Sequence, residues 1–321
     1  MKVGILGCGR WGTFLGWYSD KIGHDVTIWG REGSKNLREL INTRKNKYLY
    51  LSERVNLTYD LKKVVEENDI IIISISSQQL RSLLNSIKEF NYKDKIFILC
   101  MKGIEISTGA RLSQVAKEVL GNNAKIAVWV GPGHVQSFVK GVPNCMVIDS
   151  ISEEVTNEIV KEFSSELIRL YIGDDLIGDE IGAAAKNVIG IAAGMLDAVG
   201  YASLKGALMA RGAREVSRLI KAMGGREITA YGLCHLGDYE ATLFSEFSNN
   251  RKYGENFVRG TNDENYLAEG VTTAEALIKL SKDYDIDMPI TSGVNAVLKG
   301  EINPHKMLKD MFLRSVKKEF Y

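Results

Sequence analysis

Three glycines near the start of the chain constrain its fold more than any other feature. Lys2-Val3-Gly4-Ile5-Leu6 is a short apolar run of strand character, and Gly7-Cys8-Gly9-Arg10-Trp11-Gly12 follows it directly. A helical pattern then covers Trp11–Asp20, and a second strand covers Asp25–Trp29. Gly-x-Gly-x-x-Gly is weak evidence in isolation, but between a strand and a helix it reads as a phosphate-binding turn. Gly7 permits the tight turn, Gly9 lets the backbone approach a pyrophosphate, and Gly12 allows close helix–strand packing. The helix N-terminus then offers unpaired N–H groups and the positive end of its dipole to the phosphates.

Strand and helix patterns continue to alternate. Asp69–Ser74 is almost all isoleucine, as in a strand covered on both faces. Ser77–Phe90 reads as helix, Lys95–Cys100 as strand and Thr108–Leu120 as helix; Lys125–Val130, Cys145–Asp149 and Ile168–Ile172 read as strands. The order predicts an α/β fold with a doubly wound, mostly parallel, Rossmann-like sheet. After about residue 175 the strand signal stops. Helical patterns over Ser203–Met223, Val271–Tyr284, Gly293–Leu298 and Met307–Phe320 predict an all-helical second domain. The expected division is a dinucleotide-binding domain over 1–174 and a helical substrate and catalytic domain over 175–321. A chain of 321 residues is long enough for two such cores.

A net charge of +1 leaves no field to gather nucleic acid or an acidic membrane, so neither is expected as a partner. Cys8, Cys100, Cys145 and Cys234 are scattered and contain no Cys-x-x-Cys pair. They argue against a metal site or disulfide framework and fit a reducing, cytoplasmic location. Met1 and Lys2 lead straight into a strand, which leaves no room for a signal peptide. No apolar run reaches the roughly 18–20 residues of a membrane span.

Asp179 to Gly194 is alanine-rich, proline-free and acidic at its start, where a helix dipole favours acid. At 3.6 residues per turn, Gly182, Ala183, Lys186, Gly190 and Ala193 share one side. A glycine within a helix costs about 1 kcal/mol relative to alanine, so this face predicts a close neighbour. Lys186 is the charged side chain in that groove, and desolvation there would lower its pKa. Lys102 follows one strand in Met101-Lys102-Gly103-Ile104-Glu105, and Gly131-Pro132-Gly133-His134 follows another and should open a helix. Both fall at strand carboxyl ends, where ligands of such sheets bind. Asp238, in Gly237-Asp238-Tyr239, reads most simply as a helix N-cap. At the end of the second strand, Arg31 could take a 2′-phosphate and Glu32 a ribose hydroxyl pair; with Arg10 nearby, the charges lean towards NADP over NAD.

These stretches together resemble the NAD(P)-dependent glycerol-3-phosphate dehydrogenase family from end to end. The carriers are Gly7–Gly12 with Trp11 and Thr13, Lys102-Gly103-Ile104-Glu105, Gly131-Pro132, and Glu180-Ile181-Gly182 with Lys186-Asn187-Val188. Gly237-Asp238 with Thr242, Asn250-Arg251 with Gly254, and Glu269-Gly270-Val271 with Thr273 complete them. The resemblance implies reduction of dihydroxyacetone phosphate to sn-glycerol 3-phosphate by hydride from NAD(P)H, within glycerophospholipid metabolism. It implies Lys186 as general acid/base, tuned by Asp238 and assisted by Lys102. It places Lys102, Gly131, Asn187, Asp238, Thr242, Ser248 and Asn250 on a phosphorylated small-molecule substrate. Gly7, Gly9, Arg10, Trp11, Gly12, Arg31, Val135, Asn249 and Glu269 fall on the cofactor, and a homodimer is allowed.

Some positions depart from the family. Asn249 stands where an arginine is usual, Gly133 where Ser or Thr is usual, Val135 where alanine is usual, and Ser76 where a proline is usual. Loss of an arginine's two-pronged grip on phosphate leaves two expectations. Either Arg251 and Lys252 take over the phosphate, or the substrate is a related small polyol or hydroxy acid. A non-catalytic NAD(P) sensor is the rival from another class; it would have no use for Lys186, Asp238 and Lys102 together.

Overall fold

The computed structural model describes residues 1–261, 268–313, 315, 318 and 319. Eight strands form one sheet: β1 (Lys2–Leu6), β2 (Asp25–Trp29), β3 (Asn56–Thr58), β4 (Ile70–Ile73), β5 (Ile96–Leu99), β6 (Lys125–Val130), β7 (Asn144–Asp149) and β8 (Ile168–Ile172). The helices between them are α1 (Arg10–Lys21), α2 (Lys35–Thr43), α3 (Leu61–Glu67), α4 (Leu80–Ile87), α5 (Leu112–Leu120), α6 (Val135–Val139) and α7 (Glu153–Phe163). The helical domain has α8 (Leu176–Ala198), α9 (Lys205–Ala222), α10 (Asn249–Arg259), α11 (Glu269–Asp283), α12 (Pro289–Leu298) and α13 (Pro304–Phe312). α13 closes at Phe312 rather than Phe320; residues 314, 316, 317 and 320 lie outside the described residues.

The strand order is β3-β2-β1-β4-β5-β6-β7-β8, parallel throughout except between β6 and β7. The chain leaves β1 for β2 on one side and later returns to β4 on the other. That reversal opens the crevice in which doubly wound sheets bind ligands. β4 sits near the middle with all four isoleucines fully buried, split between the cores on the two faces of the sheet. Gly7 turns the chain out of β1 at φ +121°, and a Cβ there would lie 2.1 Å from the Ser74 carbonyl oxygen. A Cβ on Gly12 would lie 2.0 Å from the Gly7 carbonyl oxygen.

The small-residue face of α8 does meet close neighbours. Gly182 packs on Cys234 and His235, and Gly190 on Thr242 and Asn250. The tightest approach is further along: a Cβ on Gly194 would lie 1.9 Å from the Arg251 carbonyl oxygen. One on Gly254 would lie 2.1 Å from that of Ile191, so α8 and α10 touch backbone to backbone. α8 starts three residues before Asp179, capped by Asp175, whose carboxylate accepts from Gly178 N at 3.1 Å. Glu180 does more than complement a dipole. Its carboxylate accepts from Ser113 N and Ser113 Oγ and pairs with Arg111, tying α8 to the first turn of α5. By length and composition alone α8 could cross a membrane, unlike the expectation from sequence, but 89% of that window is buried inside the protein.

Candidate active site

A cleft of about 830 Å³ lies between the two domains. Gly7–Trp11 after β1, Ser74–Ser76 after β4, Cys100–Lys102 after β5 and Gly133–Val135 after β6 line one side. Lys186 and Asn187 of α8, Asp238, Thr242, Phe247–Asn250 and Glu269 line the other. The glycine loop fits a dinucleotide. Gly9 caps α1 without a side-chain hydrogen bond, leaving the first amides of the helix to a ligand. A Cβ on Gly9 would meet no atom within 4 Å, so the space it faces is open, unlike that at Gly7 and Gly12. Arg31, Ser34 and Asn36 line the cleft at the end of β2; Glu32 does not.

At the other end of the cleft, two lysines share one carboxylate oxygen. Asp238 Oδ2 accepts from Lys186 Nζ at 2.6 Å and from Lys102 Nζ at 2.8 Å. The Asp238 side chain is 1% exposed, that of Lys186 8% and that of Lys102 20%. Lys186 also donates to Thr242 Oγ1 at 2.8 Å, and Thr242 Oγ1 donates to the Asp238 carbonyl at 2.7 Å. Lys102 donates its second hydrogen to the Gly131 carbonyl at 2.7 Å. An ammonium has three donors. Each lysine therefore keeps one N–H that no described protein group takes. Burial brings the Lys186 pKa down to about 8, opposed by Asp238 and assisted by the like charge of Lys102. Two cations on one anion leave a local charge of +1, suited to an oxygen that gains negative charge.

Asp238 is no N-cap. It ends a short 3₁₀ turn, Leu236–Asp238, and a single π turn, Glu240–Phe244, follows and brings Thr242 back beside Lys186. His235 braces this segment: its Nδ1 contacts the Gly182 carbonyl at 2.8 Å and its Nε2 the Tyr239 hydroxyl at 2.7 Å. Burial lowers the His235 pKa to about 4, so the imidazole is neutral.

Amides link the remaining polar residues. Asn187 Nδ2 donates to the Lys102 carbonyl at 3.0 Å, Asn250 Nδ2 to Asn187 Oδ1 at 3.0 Å, and Gly270 N to Asn250 Oδ1 at 2.9 Å. Ser248 caps α10 and lines the cleft beside Asn249. Glu269, at the start of α11, accepts from Ser77 N at 3.1 Å and reaches the Lys102 backbone as well, so it holds the loops after β4 and β5. No periodicity announces that link. Of the residues sequence singled out, Gly131 meets the site through its carbonyl, while Trp11, Arg31, Val135 and Asn249 line the cleft.

One expectation fails. Arg251 cannot take a phosphate in the cleft: it is bound to Asp197 at 2.6 Å, Glu255 at 3.1 Å and the Ser245 carbonyl at 3.1 Å. Lys252 is exposed and does not line the cleft. The sequence offered Arg251 as a free cation because its shorter carboxylate contact, to Asp197, comes from 54 residues away in the chain, although Glu255 lies one helical turn on.

A phosphate-cradling loop on a doubly wound sheet, facing a buried lysine paired to a carboxylate on a helical domain, defines a nicotinamide-dependent dehydrogenase. Residues 2–156 match the family profile described as NAD-dependent glycerol-3-phosphate dehydrogenase N-terminus, and residues 175–309 match that of the C-terminus. The chain belongs to the NAD-dependent glycerol-3-phosphate dehydrogenase family. It is 34% identical over 331 aligned positions to "Glycerol-3-phosphate dehydrogenase [NAD(P)+]" of Thermoanaerobacter sp. (strain X514), covering 100% of this chain and 99% of the relative. It is 35% identical to the protein of the same name from Fusobacterium nucleatum, covering 99% and 98%. The crystal structure of glycerol-3-phosphate dehydrogenase from Coxiella burnetii superposes with a TM-score of 0.91 at 25% identity, over 98% of this chain and 99% of that one.

Proposed function

We propose that this protein reduces dihydroxyacetone phosphate to sn-glycerol 3-phosphate in the cytoplasm, with NADPH preferred over NADH. The observation that carries the reading is the pair of lysines on one Asp238 oxygen, each with one N–H left for the cleft. A bound reduced nicotinamide would supply the hydride to C2. Lys186 gives the C2 oxygen its proton, and Lys102 holds the same oxygen through its remaining N–H. Asp238 keeps Lys186 charged against the burial that would discharge it. A group poised near pH 8 is matched to proton transfer near neutrality. Asn187, Ser248, Asn250 and Thr242 surround the remainder of the substrate. The preference for NADPH is supported by Arg31 lining the cleft at the end of β2, where the neighbouring Glu32 does not.

The test is the loss of nicotinamide absorbance when dihydroxyacetone phosphate is added, run with NADPH and NADH in parallel. Turnover with NADPH at the lower KM is expected. Binding of either dinucleotide without turnover on this ketone would overturn the reading.

A further inference from the structure

A phosphorylated substrate brings a dianion into the cleft, and a cation with free donors has to meet it. Arg10, Arg31, Lys102 and Lys186 are the cations that line the cleft among the described residues. The two lysines are tied to Asp238, and each has one N–H left for the reacting oxygen. Arg31 stands at the end of β2, among the residues at the opposite end of the cleft from that pair. Arg10 remains. Its guanidinium crosses from the glycine loop to the helical domain, where one N–H meets the Phe247 carbonyl at 3.3 Å, a long bond to a neutral acceptor. No described carboxylate lies within ion-pair distance of it; its Cζ also stands 6.0 Å from the centroid of the Tyr48 ring. A guanidinium carries five donors, so most of its fork is open to a ligand.

The position suits the substrate. Phe247 directly precedes Ser248, Asn249 and Asn250, all of which line the cleft on the substrate side. His134, whose ring packs on Phe247 at 5.9 Å, feels Arg10 and also Asp238, Lys186 and Lys102, so one imidazole lies within electrostatic reach of both cation groups. We propose that Arg10 binds the phosphate of the substrate, and so sets this enzyme's preference for phosphorylated over unphosphorylated three-carbon ketones. Resting on the reaction proposed above, this gives the glycine loop a second role: its backbone takes the cofactor, while the Arg10 side chain takes the substrate of the opposite domain.

The experiment compares dihydroxyacetone phosphate with dihydroxyacetone in wild type and in Arg10→Gln, alongside dinucleotide Kd by nicotinamide fluorescence. Loss of a charge-assisted contact to phosphate should raise KM for the phosphorylated ketone about 10- to 100-fold. The kcat/KM for dihydroxyacetone and the dinucleotide Kd should stay at wild-type values. Arg10→Lys should recover part of the loss, because it restores charge without the fork. Asn249→Arg should rescue the Arg10→Gln variant, since position 249 is two residues from Phe247 and lines the cleft. A parallel fall on both ketones with a weaker dinucleotide Kd would overturn the proposal and make Arg10 a pyrophosphate contact. Unchanged kinetics would overturn it too. A wild type that binds dinucleotide but does not turn over dihydroxyacetone phosphate would instead refute the reaction on which the proposal rests.

Discussion

Asp238→Asn separates a carboxylate that tunes Lys186 from one that only fills space. The oxygen 2.6 Å from Lys186 Nζ is the main influence raising a pKa that burial and Lys102 depress to about 8. An opposite charge at such range moves a pKa by about 1–3 units, so the variant should bring Lys186 to between about 5 and about 7. At pH 7 the protonated share would drop from about nine-tenths to between about one half and about one hundredth. Protonation alone then lowers ketone reduction at pH 7 by about 2- to 100-fold, before any gain from the greater acidity of the ammonium that remains. The assay is the pH profile of kcat/KM for reduction, whose basic limb reports the acid of the free enzyme. Reduction needs the protonated lysine, so that limb should move to lower pH. Lys102→Met removes a like charge and should move it the other way. A limb fixed at the wild-type pH in Asp238→Asn, or limbs that move in the same direction in the two variants, would refute the reasoning.

The remaining predictions test the loop, the helix contact and a buried acid pair. Gly9→Val should abolish NADH and NADPH fluorescence changes while leaving the melting temperature near wild type, since its side chain enters open space at an ordinary φ of −74°. Gly254→Ala should destabilise by about 1–3 kcal/mol in urea and raise substrate KM, because its Cβ would press on the Ile191 carbonyl and lift Asn250 from Asn187. Burial, and then the charge of Asp149, push the Asp179 pKa up from 3.8 to about 8. The folded chain therefore holds a proton that the unfolded chain releases, and stability falls as pH rises between about 4 and about 8. Asp179→Asn should remove that loss, so its advantage in urea midpoint should be larger at pH 8 than at pH 5.

Much of the sheet was readable because burial on both faces demands unbroken apolar runs. β6 and β8 begin and end where their residues predict, and the isoleucines of β4 leave little alternative. β3 escaped because three residues cannot display a period. α10 escaped for a different reason. Ser-Asn-Asn-Arg-Lys-Tyr-Gly is as polar as a loop, and the helix has a single fully buried residue, Gly254. What holds it is a serine cap, the Arg251–Asp197 pair, a backbone contact and the half-buried Tyr253, Phe257 and Val258 on the helical core, too few apolar residues among too many polar ones to stand out as a stripe. The site divides in the same way. Lys186 was suspect from its place on a small-residue face, whereas Asp238 looked like a cap because local rules see only local partners. Its true partners lie 52 and 136 residues away.

The glycines of α8 join fold and chemistry. Counted locally, each costs the helix about 1 kcal/mol against alanine. Gly190 shows what that cost secures: a Cβ there would lie 2.7 Å from Thr242 Cγ2 and 3.3 Å from Asn250 Cβ. Thr242 is the hydroxyl that accepts from Lys186, and Asn250 is the amide that holds Asn187. A methyl at position 190 would push both away from the face that carries the lysine. The ammonium would lose one of its two fixed acceptors, and its remaining N–H would no longer have a defined direction. Proton transfer depends on that direction, since a donor has to lie within hydrogen-bond reach of the reacting oxygen. The small residues are therefore part of the proton-transfer apparatus, although none of them carries a group that reacts.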